Sequence, residues 1–340
     1  MHPTINKITF TGSNGDQLAA RLDLPSGPPR AVALFAHCFT CGKDIAAASR
    51  ISAGLVAEGF GVLRFDFTGL GSSDGEFANT NFTSNVTDLI AAAEMLRARY
   101  EAPKLLIGHS LGGAAVLAAG PQIPEVLAVA TIAAPSDPAH VAGVLTPDAL
   151  AAIERDGEAD VELAGRPFRL KRQFLEDISA QRLDHAVATL GAALLVMHSP
   201  VDELVDVDPA RRIYQTARHP KSFIALDGAD HLLTDPADSA YVARLLAVWA
   251  SRYLPAVASD PIPVTQPPPG TVLVEESGTG AFAQRITAGN HIFLADEPIG
   301  IGDDTGPGPY DLLLAGLGAC TSMTLRMYAD RKKLPLDRVR

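Results

Sequence analysis

Gly108-His109-Ser110-Leu111-Gly112 places a serine between two glycines, with the apolar residues LLI before it and GGAAVLAAG after it. A serine on such a sharp strand-to-helix turn is pushed clear of the sheet, and the glycines leave room for close backbone approach. The helix N-terminus beneath it favours developing negative charge. A hydroxyl is a poor nucleophile at neutral pH and needs a base. His231, in Asp227-Gly228-Ala229-Asp230-His231, follows the last expected strand and is placed to turn back over the sheet. A carboxylate must then hold its imidazole in one tautomer. Asp202, in His198-Ser199-Pro200-Val201-Asp202, is the first choice, with Glu203, Asp206, Asp208 and Asp230 as competitors. Asp230 adjoins His231, and neighbouring side chains rarely meet in the required geometry. The other histidines, His109, His185 and His219 among them, are read as packing or surface residues.

An oxyanion formed at this serine needs backbone N–H donors on a rigid turn, worth about 3 kcal/mol apiece. One is expected from Leu111, directly after the serine. The other is expected from the loop His37-Cys38-Phe39-Thr40-Cys41-Gly42, with the Phe39 amide first and Cys38 second. Cys38-x-x-Cys41 also invites a metal or redox reading. A zinc site needs about four ligands and no second pair exists, while a thioredoxin-like motif would sit differently in the fold. The two cysteines are therefore read as structural or oxyanion-loop residues. No metal and no organic cofactor is called for.

The elements that must position these groups alternate. Ile5–Phe10 and Leu18–Leu24 read as strands joined by a Gly12-Ser13-Asn14-Gly15 turn. Ala31–Ala36 is a continuous apolar run, as expected of a strand buried on both faces. A helix over Ile51–Glu58, a strand over Val62–Phe67, a helix over Val86–Tyr100, a strand over Leu105–Ile107 and a helix over Leu111–Ala119 follow. Leu127–Ile132, Ala193–Met197 and Ser222–Leu226 are further strands, and Ala240–Tyr253 is a closing helix. Such alternation gives a mostly parallel sheet with helices on both faces. Residues 136–190 break the rhythm with charged, helix-like pieces, Asp148–Arg155 and Lys171–Ile178. They read as a lid over the strand ends, with a long crossover as the alternative.

From Pro255 to Gly270 the chain carries six prolines in sixteen residues, which reads as a semi-rigid linker. It separates a first domain, residues 1–254, from a short segment, residues 271–340. In that segment Val272–Glu275, Ala281–Ile286 and His291–Ala295 read as a strand meander. Pro309–Arg331 reads as a helix with Leu313, Leu317, Cys320, Thr324, Met327 and Tyr328 along one side.

The 340 residues carry 28 Lys and Arg against 39 Asp and Glu, a formal charge of −11, with 47% apolar residues. This is a globular composition of about two domains. The acidic balance argues against nucleic acid or an anionic membrane as partner, since both need a basic face. Three cysteines, Cys38, Cys41 and Cys320, are too few for a disulfide framework. No run reaches the roughly 18 apolar residues of a membrane helix. The N-terminus has no basic head followed by an apolar core. A reduced, cytoplasmic setting is the default expectation.

The first domain resembles α/β-hydrolases, and in particular the hydrolase half of bacterial bifunctional α/β-hydrolase/OsmC proteins. The stretches AHCFTCGKDIAA, LRFDFTGLGSSDGEF, LIGHSLGGAAVLAA, GRPF, HSPVDELV, HPKSF and DGADHLLTDPADSAYVA carry the resemblance. The chain order Ser, Asp, His is typical of that fold. The resemblance implies a Ser110–Asp202–His231 triad and esterase-like activity. HIFLADEP and GPGPYDLLLAGLGACTSMTLRMYADRKKLPL resemble the start of an OsmC/Ohr domain. There a cysteine placed like Cys320 attacks peroxide, an acidic residue placed like Asp311 supports it, and a later cysteine resolves the intermediate. This chain ends at Arg340, roughly halfway through such a domain, and no cysteine follows Cys320. The alternative for Cys320 is a small apolar residue on a buried helix.

These readings rank a serine carboxylic-ester hydrolase first, acting on small to medium acyl esters. Gly42, Gly112, Gly113, Phe39, Phe77 and Leu232 are expected near the pocket. Thioesterase, amidase and deacetylase chemistry use the same groups. The alternatives are a thiol peroxidase acting on organic hydroperoxides through Cys320, or a C-terminal segment serving only to dimerise. OsmC-family domains form intertwined homodimers, so a homodimer through residues 271–340 is expected, with no nucleic acid and no membrane partner.

Overall fold

The computed structural model describes residues 4–25, 28–38, 40–163, 166–254, 267–278, 280–289 and 291–340. They fall into two compact units, one within Pro3–Val257 and one within Ala258–Arg340. The expected linker lies outside the described residues as far as residue 266.

In the first unit the elements run β1 Thr4–Thr11, β2 Gln17–Leu24, β3 Val32–Ala36, α1 Ala46–Ala57, β4 Gly61–Phe65, α2 Phe82–Arg99, β5 Leu105–His109, α3 Leu111–Ala119 and β6 Ala128–Ile132. An insertion follows: α4 Pro147–Asp156, β7 Glu158–Leu163, β8 Arg166–Lys171, α5 Arg172–Ala180 and α6 Leu183–Ala188. The frame then resumes with β9 Ala193–His198, α7 Asp208–Thr216, β10 Lys221–Ala225 and α8 Pro236–Ser251. The described residues form an eight-stranded sheet of order β1-β2-β4-β3-β5-β6-β9-β10. The β1–β2 and β2–β4 pairs are antiparallel; from β4 through β10 the neighbours are parallel.

Strand alternation divides the core in two. Val32, Leu34, Leu106, Val129 and Leu194 pack with α2 and α3 residues such as Leu89, Ala92 and Val116. Ala33, Phe35, Leu105, Ile107, Ala130 and Leu195 pack with α1 and α8 residues such as Ile51, Leu55, Val242 and Leu246. Period-two side-chain direction on a sheet buried on both sides produces this pair of layers. Helix starts follow local chemistry. Asn81 caps α2 by accepting from the Ser84 amide while Ser84 Oγ accepts from the Asn81 amide. Asp235 caps α8 ahead of Pro236, whose missing N–H costs nothing in a first turn.

The insertion between β6 and β9 differs from its expected helical content. Helices α4 and α5 lie where helical pieces are expected and α6 has no expected counterpart, while between α4 and α5 the strands β7 and β8 form an antiparallel hairpin. In β7 only Val161 and Leu163 are buried, so the strand is short, charged and weakly patterned. Helix α7 has no counterpart among the expected elements, because it buries only Ala210 and Ile213 and is otherwise mostly polar.

In the second unit β11 Val272–Glu276, β12 Gln284–Ala288 and β13 His291–Ala295 form an antiparallel meander, followed by α9 Pro309–Lys332. β12 begins later than the Ala281 expected. Helix α9 buries only Ala329 among its residues. Cys320 is therefore exposed, which corrects its reading as a packing residue on a buried helix. By length and composition α9 is apolar enough to cross a membrane, which corrects the expectation that no segment reaches that length. Its small and hydroxyl-bearing residues, such as Gly316, Gly318 and Thr321, interrupt the apolar run in the sequence.

Candidate active site

Ser110 sits between β5 and α3 at φ 54°, ψ −126°, a left-handed conformation that costs a non-glycine residue strain. The strain is held by packing on both sides of the turn. The Ser110 amide donates to the Ile132 carbonyl at 2.8 Å. A Cβ on Gly108 would come within 2.3 Å of the Gly112 carbonyl oxygen, and one on Gly112 within 2.4 Å of the His37 carbonyl oxygen. Only glycine permits the turn to close this far.

His231 Nε2 lies 3.0 Å from Ser110 Oγ, and His231 Nδ1 lies 2.8 Å from Asp202 Oδ2. The carboxylate accepts, so the neutral imidazole carries its proton on Nδ1 and turns a lone pair toward the serine hydroxyl. Asp202 Oδ1 accepts from the amides of Leu204 and Val205 at 2.9 and 3.0 Å. Burial pushes the Asp202 pKa up, but the bond from His231 and these two amides outweigh it and hold the carboxyl below its ordinary value. Three of the four competing carboxylates are engaged elsewhere, and Glu203 is exposed beside the loop that carries His231. Asp230 accepts from the Thr234 amide, Asp206 from the Asp208 amide, and Asp208 pairs with Arg211.

Leu111 is the first residue of α3, so its amide has no carbonyl to bond inside the helix and faces the turn. Phe39, the first expectation for the second donor, lies outside the described residues. Cys38 and Leu111 both line the cavity over Ser110. Cys38 and Cys41 are joined by a disulfide across a turn in which the Cys41 amide donates to the Cys38 carbonyl and Thr40 adopts φ 60°. The spacing of three residues does not by itself announce a bridge; the left-handed Thr40 brings the two Cα atoms to 5.3 Å. Beyond the bridge, Lys43 donates its amide and its ammonium to Asp66 at 2.6 and 2.7 Å.

Ser110 and His231 open into a cavity of about 330 Å³. The insertion supplies part of its wall through Val141, Val144, Glu162 and Leu163, and the loops after β9 and β10 add Leu204 and Leu232. Arg166 on β8 donates to the Thr40 carbonyl, tying the insertion to the loop after β3. Of the pocket residues expected, Leu232 lines this cavity. Phe77 instead packs at a tilt against Phe168 and lines, with Gly112, a small crevice behind Leu111.

His109 is a packing residue, as expected. Its ring is buried, and Nε2 lies 2.7 Å from the His231 carbonyl oxygen. Its only sequence signal is adjacency to Ser110, which does not separate it from a packing residue. His185 and His219 are exposed. In the second unit, Asp311 Oδ2 accepts from the Gly308 amide and so caps α9. Cys320 lies nine residues further along α9, about 13 Å along its axis, and the structure does not bring the two together. Among the described residues no group of three or more His, Cys, Asp or Glu side chains could hold a metal ion.

Residues 27–153 match a family model described as serine aminopeptidase, S33, and residues 302–340 match one described as OsmC-like protein. A solved esterase domain from a Rhodothermus marinus protein is 52% identical, with 74% of this chain and 100% of that chain covered and a TM-score of 0.62. Mouse mitochondrial palmitoyl-protein thioesterase ABHD10 is 26% identical over 193 residues, 53% of this chain and 62% of that protein. The chain thus spans less than two thirds of that relative's length. The monoacylglycerol lipase of Mycolicibacterium smegmatis is 25% identical over 238 residues, 61% of this chain and 83% of that protein.

Proposed function

The chain belongs to the bifunctional α/β-hydrolase/OsmC family, with a hydrolase domain of the esterase, thioesterase and lipase type, and from that we propose that it is a serine ester hydrolase whose catalytic triad is Ser110, His231 and Asp202. The observation that carries the proposal is the continuous chain of contacts from Ser110 Oγ through both nitrogens of His231 to a carboxylate held ionised by two amides.

Ser110 Oγ attacks the acyl carbonyl while its proton passes to His231 Nε2. Asp202 stabilises the imidazolium without taking its proton. The Leu111 amide, with a second donor from the Phe39 or Cys38 amide, binds the tetrahedral oxyanion. His231 returns the proton to the departing alkoxide, or thiolate for a thioester, and leaves an acyl group on Ser110. Water then attacks the acyl-enzyme, its proton passing to His231, and the free acid departs as Ser110 regains its hydrogen.

The wall of Val141, Val144, Leu163, Leu204 and Leu232 favours an uncharged, small to medium acyl chain. The names of the curated relatives, a palmitoyl-protein thioesterase and a monoacylglycerol lipase, support acyl esters or thioesters as the class. Ser110→Ala is expected to keep the fold and to lower ester hydrolysis about 10⁵- to 10⁶-fold. A series of p-nitrophenyl esters then reads the chain length, with the optimum at small to medium length. Near-wild-type turnover in Ser110→Ala overturns the triad.

The same proposal assigns residues 271–340 to a homodimer contact. The exposed Leu313, Leu317 and Met327 on α9 and Val272 and Val274 on β11 support it, because monomers rarely leave so much apolar surface uncovered. Light scattering on the full chain tests it; a monomer at micromolar concentration contradicts it. The peroxidase alternative draws no support from Asp311, which caps the helix far from Cys320.

A further inference from the structure

Two buried histidines stand one tier beneath the reacting groups. His109 closes β5 immediately before Ser110, and His198 closes β9 four residues before Asp202. Both rings are almost wholly inaccessible, at 1% and 0% exposure. His109 Nε2 lies 2.7 Å from the carbonyl oxygen of His231, and His198 Nε2 lies 2.7 Å from the carbonyl oxygen of Val205. Neither Nδ1 has a hydrogen-bond partner among the described residues.

A carbonyl oxygen can only accept, so each contact requires the imidazole proton on Nε2. The opposite tautomer would set two lone pairs against each other and bury an unpaired N–H on the far side of the ring. Burial, with the neighbouring His231 adding to it, pushes the His109 pKa down to about 4. That also suits the chemistry. The rings of His109 and His231 are 5.4 Å apart, and His231 becomes cationic each time it takes the serine proton. A neutral neighbour does not oppose that charge; an imidazolium would.

What the two histidines hold is irregular backbone. The turn bearing His231 contains Gly228 at φ 80° and Leu233 at φ 51°, and it lies outside any strand or helix. The turn bearing Asp202 is gripped at Val205 from two sides: its amide donates to Asp202 Oδ1, and its carbonyl accepts from His198. His198 Nε2 is also 3.8 Å from Asp202 Oδ2, too far for a bond competing with the one to Val205. Both imidazoles project from the ends of parallel strands, β5 and β9, that are buried along their whole length, which holds the rings in place.

We propose that His109 and His198 are positioning residues, fixed Nε2–H donors that set the loops carrying the catalytic base and acid at reacting distance. The proposal rests on the reading of Ser110, His231 and Asp202 as the triad.

The test pairs a variant that lacks the donor with one that keeps an amide N–H within reach of the same carbonyl. His109→Leu and His198→Leu are expected to lower kcat by about 10²-fold with KM nearly unchanged, the usual effect of roughly 1 Å of misplacement. His109→Gln and His198→Gln are expected to recover most of that loss. A role in stability alone would change the melting temperature and leave kcat of the folded protein intact. Folded Leu variants with wild-type kcat, or Gln variants no better than Leu, overturn the proposal. Neutron diffraction from the unaltered full chain gives a reading independent of whether the variants fold. It is expected to show hydrogen on Nε2 of both rings, and hydrogen on Nδ1 alone in either ring overturns the assignment. Ser110→Ala run in the same assay separates the two readings: if it stays active, the triad fails, whatever the histidines do.

Discussion

Strand β3 and helix α9 are both apolar, yet the protein uses them in opposite ways. In β3 every residue from Val32 to Ala36 is 1% exposed or less, with Leu34 facing one helical layer and Phe35 the other. In α9 only Ala329 is buried, and Leu313 and Met327 are 71% and 72% exposed. The difference teaches where chemistry can be held. A strained serine at φ 54° needs surroundings that over-determine it, and the doubly covered sheet supplies them. Cys320, exposed on α9, lacks such surroundings among the described residues.

The sharpest way to break this contrast is at the acid. Asp202→Asn removes the carboxylate that fixes the His231 tautomer and is expected to lower kcat about 10⁴-fold. Asp206→Asn and Asp208→Asn should leave it within twofold, measured by steady-state ester hydrolysis. A larger loss at Asp206 or Asp208 would move the site.

Packing gives the next effect. Leu34→Ala is expected to cost about 2–5 kcal/mol of unfolding free energy, because the cavity it leaves lies between covered layers. Leu317→Ala on α9 should stay within about 0.5 kcal/mol in dilute protein, where it removes only exposed surface. Urea unfolding measures both, and equal costs would contradict the contrast.

His109 gives a pH signature. The unfolded chain binds a proton at this residue below about 6.5, whereas the folded chain does so only below about 4. Between these values the unfolded state holds more protons, so stability falls as pH drops from 6.5 toward 4 and is fully present above 6.5. The residue's share is roughly 3 kcal/mol across that window. His109→Gln should flatten the slope of unfolding free energy against pH there, and an unchanged slope would contradict the assigned burial.

The smallest expected effect is none. Cys320→Ser should leave ester turnover unaltered, since the thiol belongs to the other unit. A large loss with the fold intact would join the two units in one site.

Much of the hydrolase unit was legible because its signals are local. β5, α3 and Ser110 follow from LLIGHSLGG, where an apolar run, a glycine pair and a serine each have one economical arrangement. Asp202 and His231 follow from their places after β9 and β10, since parallel strands deliver their loops to one edge. The β7–β8 hairpin escaped because it buries only a few apolar residues and carries charge throughout. The Cys38–Cys41 bridge escaped because it depends on a left-handed Thr40, a conformation that no residue type there announces. His109 and His198 escaped because their meaning lies in carbonyl oxygens 122 and 7 residues away, and sequence gives no distance to a carbonyl. The exposure of Cys320 was not legible because a small residue on an apolar helix reads the same whether or not something covers it.

The central claim is that one serine, on the doubly covered sheet, does the chemistry. Treating the full chain with a fluorophosphonate and mapping the adduct by mass spectrometry tests it directly. The account predicts one adduct per chain, on Ser110, with ester hydrolysis falling in proportion to its occupancy. An adduct on another residue, or full hydrolysis with Ser110 fully modified, would contradict it.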